Sequence, residues 1–323
     1  MNIENLTEEE IKDIILKKQL EWIKLCQDNF LVFVESMWED FICRRDPNNK
    51  GHHQIIAESF HEIADGDAKR LIINMPPRHT KSEFASYLFP AWYIGKYPKK
   101  KIMQVSHNAE LASRFGSKVR NLMATKEYKE VFGNVNLRED SKAKGRWETN
   151  HGGEYFAAGV GGSITGRGAD LLIIDDPHTE QDSLSDTAME RAYEWYSSGP
   201  RQRLQPGGRI LVVMTRWATD DLTGRLIRAQ SGMKADQWKV ISFPAILEDD
   251  KPVWPEYWSK EDLDGVKASI SVKNWNAQYM QDPTSEEGAI IKREWWQDYD
   301  KENLPKLLHV IQSYDTAFSK KES

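Results

Sequence analysis

At 323 residues, with 44 basic against 50 acidic side chains and a formal charge of -6, the chain has room for one large domain with appendages or for two. The acidic balance excludes a wholesale basic nucleic-acid binder and confines any DNA contact to a local patch. Cys26 and Cys43 suit a reducing compartment, and His52, His53 and His61 lack the cysteines or helical His-Glu pattern of a metal site. No apolar run approaches a membrane span and the charged start MNIENLTEEEIKD has no signal-peptide core, so a soluble cytoplasmic protein is expected.

From Thr7 to about Arg45 the sequence is helical in character, opened by a Thr7/Glu10 capping box and carrying Ile11, Ile14, Ile15, Trp22 and Ile23 at helical spacing. A second helix, Gln54 to Ala64, leads through Asp65-Gly66-Asp67 to LIINMPPRHTKSEFAS, residues 71–86. Here a short apolar run, Leu71 to Ile73, stops at a double proline and helix-compatible sequence resumes at Ser82: strand, tight loop, helix. Lys81 followed by the Ser82 hydroxyl is the lysine and magnesium-ligand pair of a phosphate-binding loop, with a helix N-terminus behind it for an anion. The usual glycines are missing, since their spacing falls on Met75 and Thr80. Trp38, His53 or Gln54 are candidates to hold a flat base by an aromatic face or an amide.

Helix Glu83 to Ile94 is expected to stop at Gly95 and Pro98, followed by the basic turn Lys99-Lys100-Lys101 and a strand, Ile102 to Ser106. The next helix sets Leu111, Phe115, Val119 and Leu122 on one face and turns Arg114, Lys118 and Arg120 elsewhere, toward solvent or a phosphate backbone. The glycine-rich segment His151 to Gly168 surrounds a strand, Glu154 to Ala158, with no dinucleotide fingerprint. Leu171 to Ile174 reads as a buried parallel strand that delivers Asp175 and Asp176 at its C-terminal end, where ligands of open α/β sheets sit. An aspartate there can hold a nucleotide's magnesium, and the next acidic residue can orient a water for attack on the γ-phosphate.

A charged, aromatic helix (Asp186 to Ser197) and a turn at Pro206-Gly207-Gly208 lead to a third apolar strand, Ile210 to Met214, ending in Thr215-Arg216-Trp217. A helix from Thr219 and a strand from Lys239 to Phe243 follow. Helices of crossover length between buried strands predict a mainly parallel sheet with helices on both faces. After Leu247 come a proline- and tryptophan-rich stretch, two short helices (259–268 and 271–280), a linker at 282–288 and a new strand, His309 to Ser313, that lacks partners and marks the start of a further domain.

MPPRHTKS, GRGADLLIIDDP, VVMTRW and QSYDTAF together resemble the large terminase subunit of tailed bacteriophages, over nearly the whole chain. The resemblance implies an α/β P-loop NTPase of the additional-strand class, followed by the first strand of a truncated RNase H-like nuclease domain. The implied divisions are a helical lid or bracing region (1–50), the ATPase core (51–247), a helical linker region (248–305) and the incomplete nuclease start (306–323). It implies ATP and Mg²⁺ as cofactors, double-stranded DNA, the portal protein and the small terminase subunit as partners, and a homo-oligomeric ring on the procapsid in the host cytoplasm from a chain monomeric in isolation.

Carried onto this sequence, the resemblance has Lys81 bind the β- and γ-phosphates, Ser82 and Asp175 hold Mg²⁺, and Asp176 activate water where the commoner family pair ends in glutamate. Pro77, Arg78, His79 and Thr80 join the expected nucleotide site, with Gln54 added to it by residue type; Arg167 is the candidate for the arginine presented to a neighbour's nucleotide, the alternative being a loop arginine that caps a helix C-terminus, and Thr215 and Arg216 match the coupling motif. Asp315 is the first metal ligand of an incomplete nuclease that would not cut DNA. Two rival expectations are a P-loop helicase or remodelling ATPase, which would need a second motor-like domain, and a docking scaffold that no longer hydrolyses ATP.

Overall fold

In the computed structural model the described residues are 7–44, 50–232 and 235–284. Strand His309 to Ser313, the nuclease start and Asp315 lie outside them. The capping box forms as expected: Thr7 N–H donates to Glu10 Oε2 at 2.8 Å and Glu10 N–H returns to Thr7 Oγ1, opening α1 (Glu8–Asp28). The expected single helical stretch breaks at Asn29, whose side chain accepts from Leu31 N–H and Val32 N–H and so caps α2 (Phe30–Met37). Helix α3 (His52–Asp65) ends at Gly66, whose φ of +95° is left-handed and whose missing Cβ leaves room for Arg209.

Strand β1 (Arg70–Asn74) enters the phosphate loop, after which the helix opens as a π-helical stretch, Glu83–Leu88, before α4 (Phe89–Lys96). Pro90 is the physical reason this segment departs from an uninterrupted α-helix: it has no N–H to donate and its ring crowds the carbonyl four residues back, which a widened turn relieves. There follow β2 (Lys101–Ser106), α5 (Ala109–Ala124, capped by Asn108) and α6 (Lys126–Val131, capped by Thr125). An antiparallel pair, β3 (Leu137–Ala143) and β4 (Arg146–Thr149), precedes β5 (Glu154–Gly159) and β6 (Ala169–Asp175). The chain continues through α7 (Asp186–Ser198), β7 (Leu204–Met214), α8 (Leu222–Ala229), β8 (Lys239–Ser242) and α9 (Lys260–Ser269). The expected turn at Pro206-Gly207-Gly208 is instead a register shift inside β7 against β6, with Gly207 at φ +77°.

The sheet order is β3-β4-β5-β2-β6-β7-β1-β8, parallel from β5 to β8 and antiparallel only at the β3-β4-β5 edge. Period-two alternation sorts each central strand between two cores. Leu71, Ile73, Leu171, Ile173, Leu211 and Val213 pack with α2, α3 and α4, while Ile72, Leu172, Ile174, Ile210 and Val212 pack with α7 and α8 residues such as Tyr196 and Leu222. Helices therefore cover both faces, as the sequence predicts. Strand β7 lies between β1 and β6, so the loop after β1 and the carboxylates ending β6 are joined across one intervening strand.

Candidate functional site

Parallel strands bring their C-terminal ends to one edge of the sheet, and there the loop after β1 meets the end of β6. Lys81 Nζ lies 3.0 Å from Asp176 Oδ2, with the lysine side chain 8% and the aspartate 29% exposed. Ser82 Oγ donates to Asp175 Oδ1 at 2.9 Å, and Ser86 Oγ donates to Asp175 Oδ2 at 2.6 Å. Ser86 in turn accepts from Gln104 Nε2 on β2. The π-helical turn carries Ser86, and neither it nor Gln104 stands out in the sequence, because a buried serine and glutamine have no motif of their own.

Asp176 sits at φ +42°, its backbone N–H donating to Val213 O and its carbonyl accepting from His107 N–H, so it is pinned between the ends of β7 and β2. Its Oδ1 accepts from Thr215 N–H at 2.9 Å, while Thr215 Oγ1 donates to Met75 O at 3.0 Å. Thr215, at the tip of β7, thus touches the acidic strand and the base of the phosphate loop together. Arg216 faces away from the lysine: its Nε donates to Asp221 at 2.8 Å and its N–H to Gln281 Oε1. Asp221 is fully buried and also caps α8 through Gly224 N–H. Its position just ahead of a helical repeat is a capping signal, and the helix it caps starts at Leu222, three residues later than the expected Thr219.

Burial, and then the adjacent Asp176 charge, push the Asp175 carboxyl up to about 7 against the pull of Lys81 and the serine hydroxyls. For Lys81, burial acts to lower the ammonium's pKa, but attraction to Asp176 and Asp175 outweighs it and holds the pKa above its ordinary value. The buried Lys81 and Asp175 and the partly exposed Asp176 surround a cavity of 280 Å³ whose other lining residues are Pro77, Arg78, His79, Thr80, Ser82, Glu83, Leu111 and Phe115. The expected loop residues, 77–82, are thus together with both carboxylates. A second cavity of 160 Å³ shares Arg78, Thr80 and Glu83 with the first and is walled by Trp38, Phe41, Trp254 and Tyr257.

Three expected residues stand elsewhere. Gln54 is on the exposed side of α3, where its amide donates to Glu58, and it lines neither cavity. The phase of α3 accounts for this, since His52, His53, Ile56 and Phe60 take the buried face. His53 is fully buried behind the loop, closed in by Phe84 and Trp254, and offers no face to a base. Arg167 donates to Glu154 Oε1 at 2.7 Å and lies over the Phe156 ring. Because Glu154 pairs with Lys101 while Ser106 pairs with Asp175, this is the opposite end of the strands from the cluster.

Among the described residues no cluster of three or more metal-ligating side chains occurs, and no helix is long and apolar enough to cross a membrane. Neither cysteine is part of a disulfide. No curated protein matches the sequence. Among solved structures, the large terminase of bacteriophage HK97 aligns with a TM-score of 0.51 at 14% identity, over 78% of this chain and 54% of that one. This chain therefore spans about half the length of that protein. A mutant ATPase domain of the Thermus phage P74-26 large terminase gives 0.47 at 16% identity, over 78% and 98% of the two chains. The large terminase of a thermophilic bacteriophage, in complex with ADP, gives 0.43 at 10% identity, over 69% and 52%. The family model described as terminase large subunit, T4likevirus-type, N-terminal matches residues 72–298, from β1 through both carboxylates and beyond α9. With well over half of its length in that match, the chain belongs to the terminase large subunit family.

Proposed function

We propose that this chain is the ATP-hydrolysing motor domain of a DNA-packaging terminase, acting on double-stranded DNA with a portal protein and a small terminase subunit, as a homo-oligomeric ring on the procapsid in the host cytoplasm. The observation that carries the reading is the meeting of Lys81 and Ser82, from the loop after β1, with Asp176 and Asp175, from the end of β6. A buried ammonium held against a carboxylate is an anion site whose internal partner a triphosphate can replace. In this reading Lys81 and Arg78 neutralise charge on the transferred phosphoryl group, backbone N–H groups of residues 78–82 cradle the phosphates, and Asp176 takes a proton from the attacking water.

The donor set fits magnesium: Ser82 Oγ and the Asp175 carboxylate are hard oxygen ligands, already 2.9 Å apart, and a nucleotide's phosphates would complete the sphere. Bound there, the ion would supply charge neutralisation on the β- and γ-phosphate oxygens. The base belongs in the aromatic slot beside the phosphate cavity, where Trp38 stacks on Phe41 at 5.1 Å and Trp254 on Tyr257 at 4.5 Å. Trp38→Ala is expected to raise KM for ATP by roughly tenfold with a small change in kcat, the loss of one base–aromatic stack. The test of the function itself is phosphate release by the purified chain, expected with Mg²⁺ and ATP and expected to stop in EDTA. Release that is insensitive to EDTA would contradict the assignment of Ser82 and Asp175.

Coupling follows from Thr215. A change at Asp176 on hydrolysis reaches its N–H directly, and Arg216 then carries it through Asp221 to α8 and through Gln281 to the end of the described chain. Arg167, removed from its own subunit's cavity, is assigned to a neighbour's nucleotide. An arginine supplied in trans is worth about 10³ to 10⁵ in rate where it operates, so the isolated chain is expected to be slow. Arg167→Ala should bind ATP normally yet poison wild-type rings when mixed into them. Weak ATP binding by the monomeric variant would instead return Arg167 to its own site.

A further inference from the structure

The phosphate loop takes left-handed backbone at Arg78 (φ +60°) and Thr80 (φ +71°), without a glycine at either position. For a β-branched residue such as threonine this is an uncommon conformation, and it persists only where the surroundings hold it. Thr80 occupies the place just before the lysine where phosphate loops ordinarily have glycine. Something outside the loop must supply what glycine would give for free.

His53 is placed to do so. Arg44 N–H donates to His53 Nδ1 at 2.9 Å, and His53 Nε2 lies 3.1 Å from Thr80 Oγ1. Burial, followed by the neighbouring His52 and His79, depresses the His53 pKa to about 2, so the ring is neutral and has one N–H. With Nδ1 accepting, that proton is on Nε2 and points at Thr80. Thr80 Oγ1–H then donates to His79 O at 2.5 Å, and His79 Nδ1 is 2.8 Å from Pro77 O. The chain of donors runs one way, from Arg44 through His53 into the loop. Phe84 stacked on His53 at 5.3 Å and Trp258 stacked on His79 at 5.8 Å fix both rings in orientation.

We propose that His53 is a positioning residue for the phosphate loop, its Nε2–H holding Thr80 left-handed so that Lys81 and Ser82 are presented to the phosphates in a loop that has no glycine. It touches neither nucleotide nor carboxylate and acts through Thr80. The proposal rests on the reading of this loop as an ATP site, and it makes a demand on residue pairs that a simple packing role does not. His53→Ala should weaken binding of a fluorescent ATP analogue with Mg²⁺ by roughly tenfold, the scale of an unsupported left-handed residue. In a Thr80→Gly background the same substitution should cost about threefold or less, because glycine adopts that φ unaided. His53→Gln, which keeps an N–H of similar reach, should fall between the two and guards against misfolding of the alanine variant.

Hydrogen exchange at the amides of residues 78–82 gives a readout independent of nucleotide: exchange should quicken in His53→Ala and return toward the parent rate when Thr80→Gly is added. An equal binding penalty in both backgrounds, or unchanged exchange in His53→Ala, would overturn the positioning role. A parent chain that binds no nucleotide would refute the ATP reading, and the exchange measurement would still decide what His53 does to the loop.

Discussion

Lys81→Ala is expected to reduce ATP hydrolysis to background while leaving the fold intact. Among the described residues Lys81 is the only lysine lining the phosphate cavity, and removing one preorganised charge donor from a transition state typically costs about 10² to 10³ in rate. The fold should tolerate the change because the ammonium is balanced by Asp176, which is 29% exposed at its side chain and still accepts from Thr215 N–H once the lysine is gone. Phosphate release measured beside circular dichroism checks both halves of the expectation. Full turnover in the folded variant would remove Lys81 from the chemistry.

The second large effect separates the two carboxylates. Asp176→Asn should keep Mg-ATP binding and lose about 10² to 10⁴ in turnover, the usual contribution of a general base. Asparagine still accepts from Thr215 N–H but cannot take a proton. Asp175→Asn should instead weaken the magnesium-dependent part of nucleotide binding, since Asp175 is the fully enclosed carboxylate that both Ser82 and Ser86 address. Isothermal titration with and without Mg²⁺, beside steady-state turnover, distinguishes the roles. If both variants bound and hydrolysed ATP like the parent, the end of β6 would be a structural turn.

The parts of this molecule that can be read from its sequence are those in which one physical signal dominates. Strands β1 and β6 and the second half of β7, Ile210 to Met214, are short runs of buried aliphatic residues flanked by prolines, glycines or aspartates, so they are legible, as is the meeting of Lys81 with Asp175 and Asp176. The β3-β4 hairpin is not. Its strands, LREDSKA and RWET, are mostly polar because they form a sheet edge, and only Gly145 between them marks a turn. The π-helical turn at Glu83–Leu88 is equally hidden, because it follows from Pro90 working against the preceding turn and not from any periodicity.

Residue roles divide in the same way. Trp38 reaches the slot beside the loop, whereas Gln54, a candidate by residue type alone, is turned outward by the phase of α3. His53 has a ring suited to a base, yet its contacts run to Arg44 and Thr80. A substitution of glycine by threonine within a phosphate loop is visible in sequence. The residue that compensates for it is 27 positions away and becomes visible only when the two are brought together.

The most direct test is a crystal structure of this chain soaked with Mg²⁺ and a non-hydrolysable ATP analogue. The γ-phosphate is predicted between Lys81 Nζ and Asp176, with the metal on Ser82 and Asp175 and the base in the slot beside Trp38. A nucleotide bound away from Lys81, or density for the metal without contact to either Ser82 or Asp175, would contradict the account.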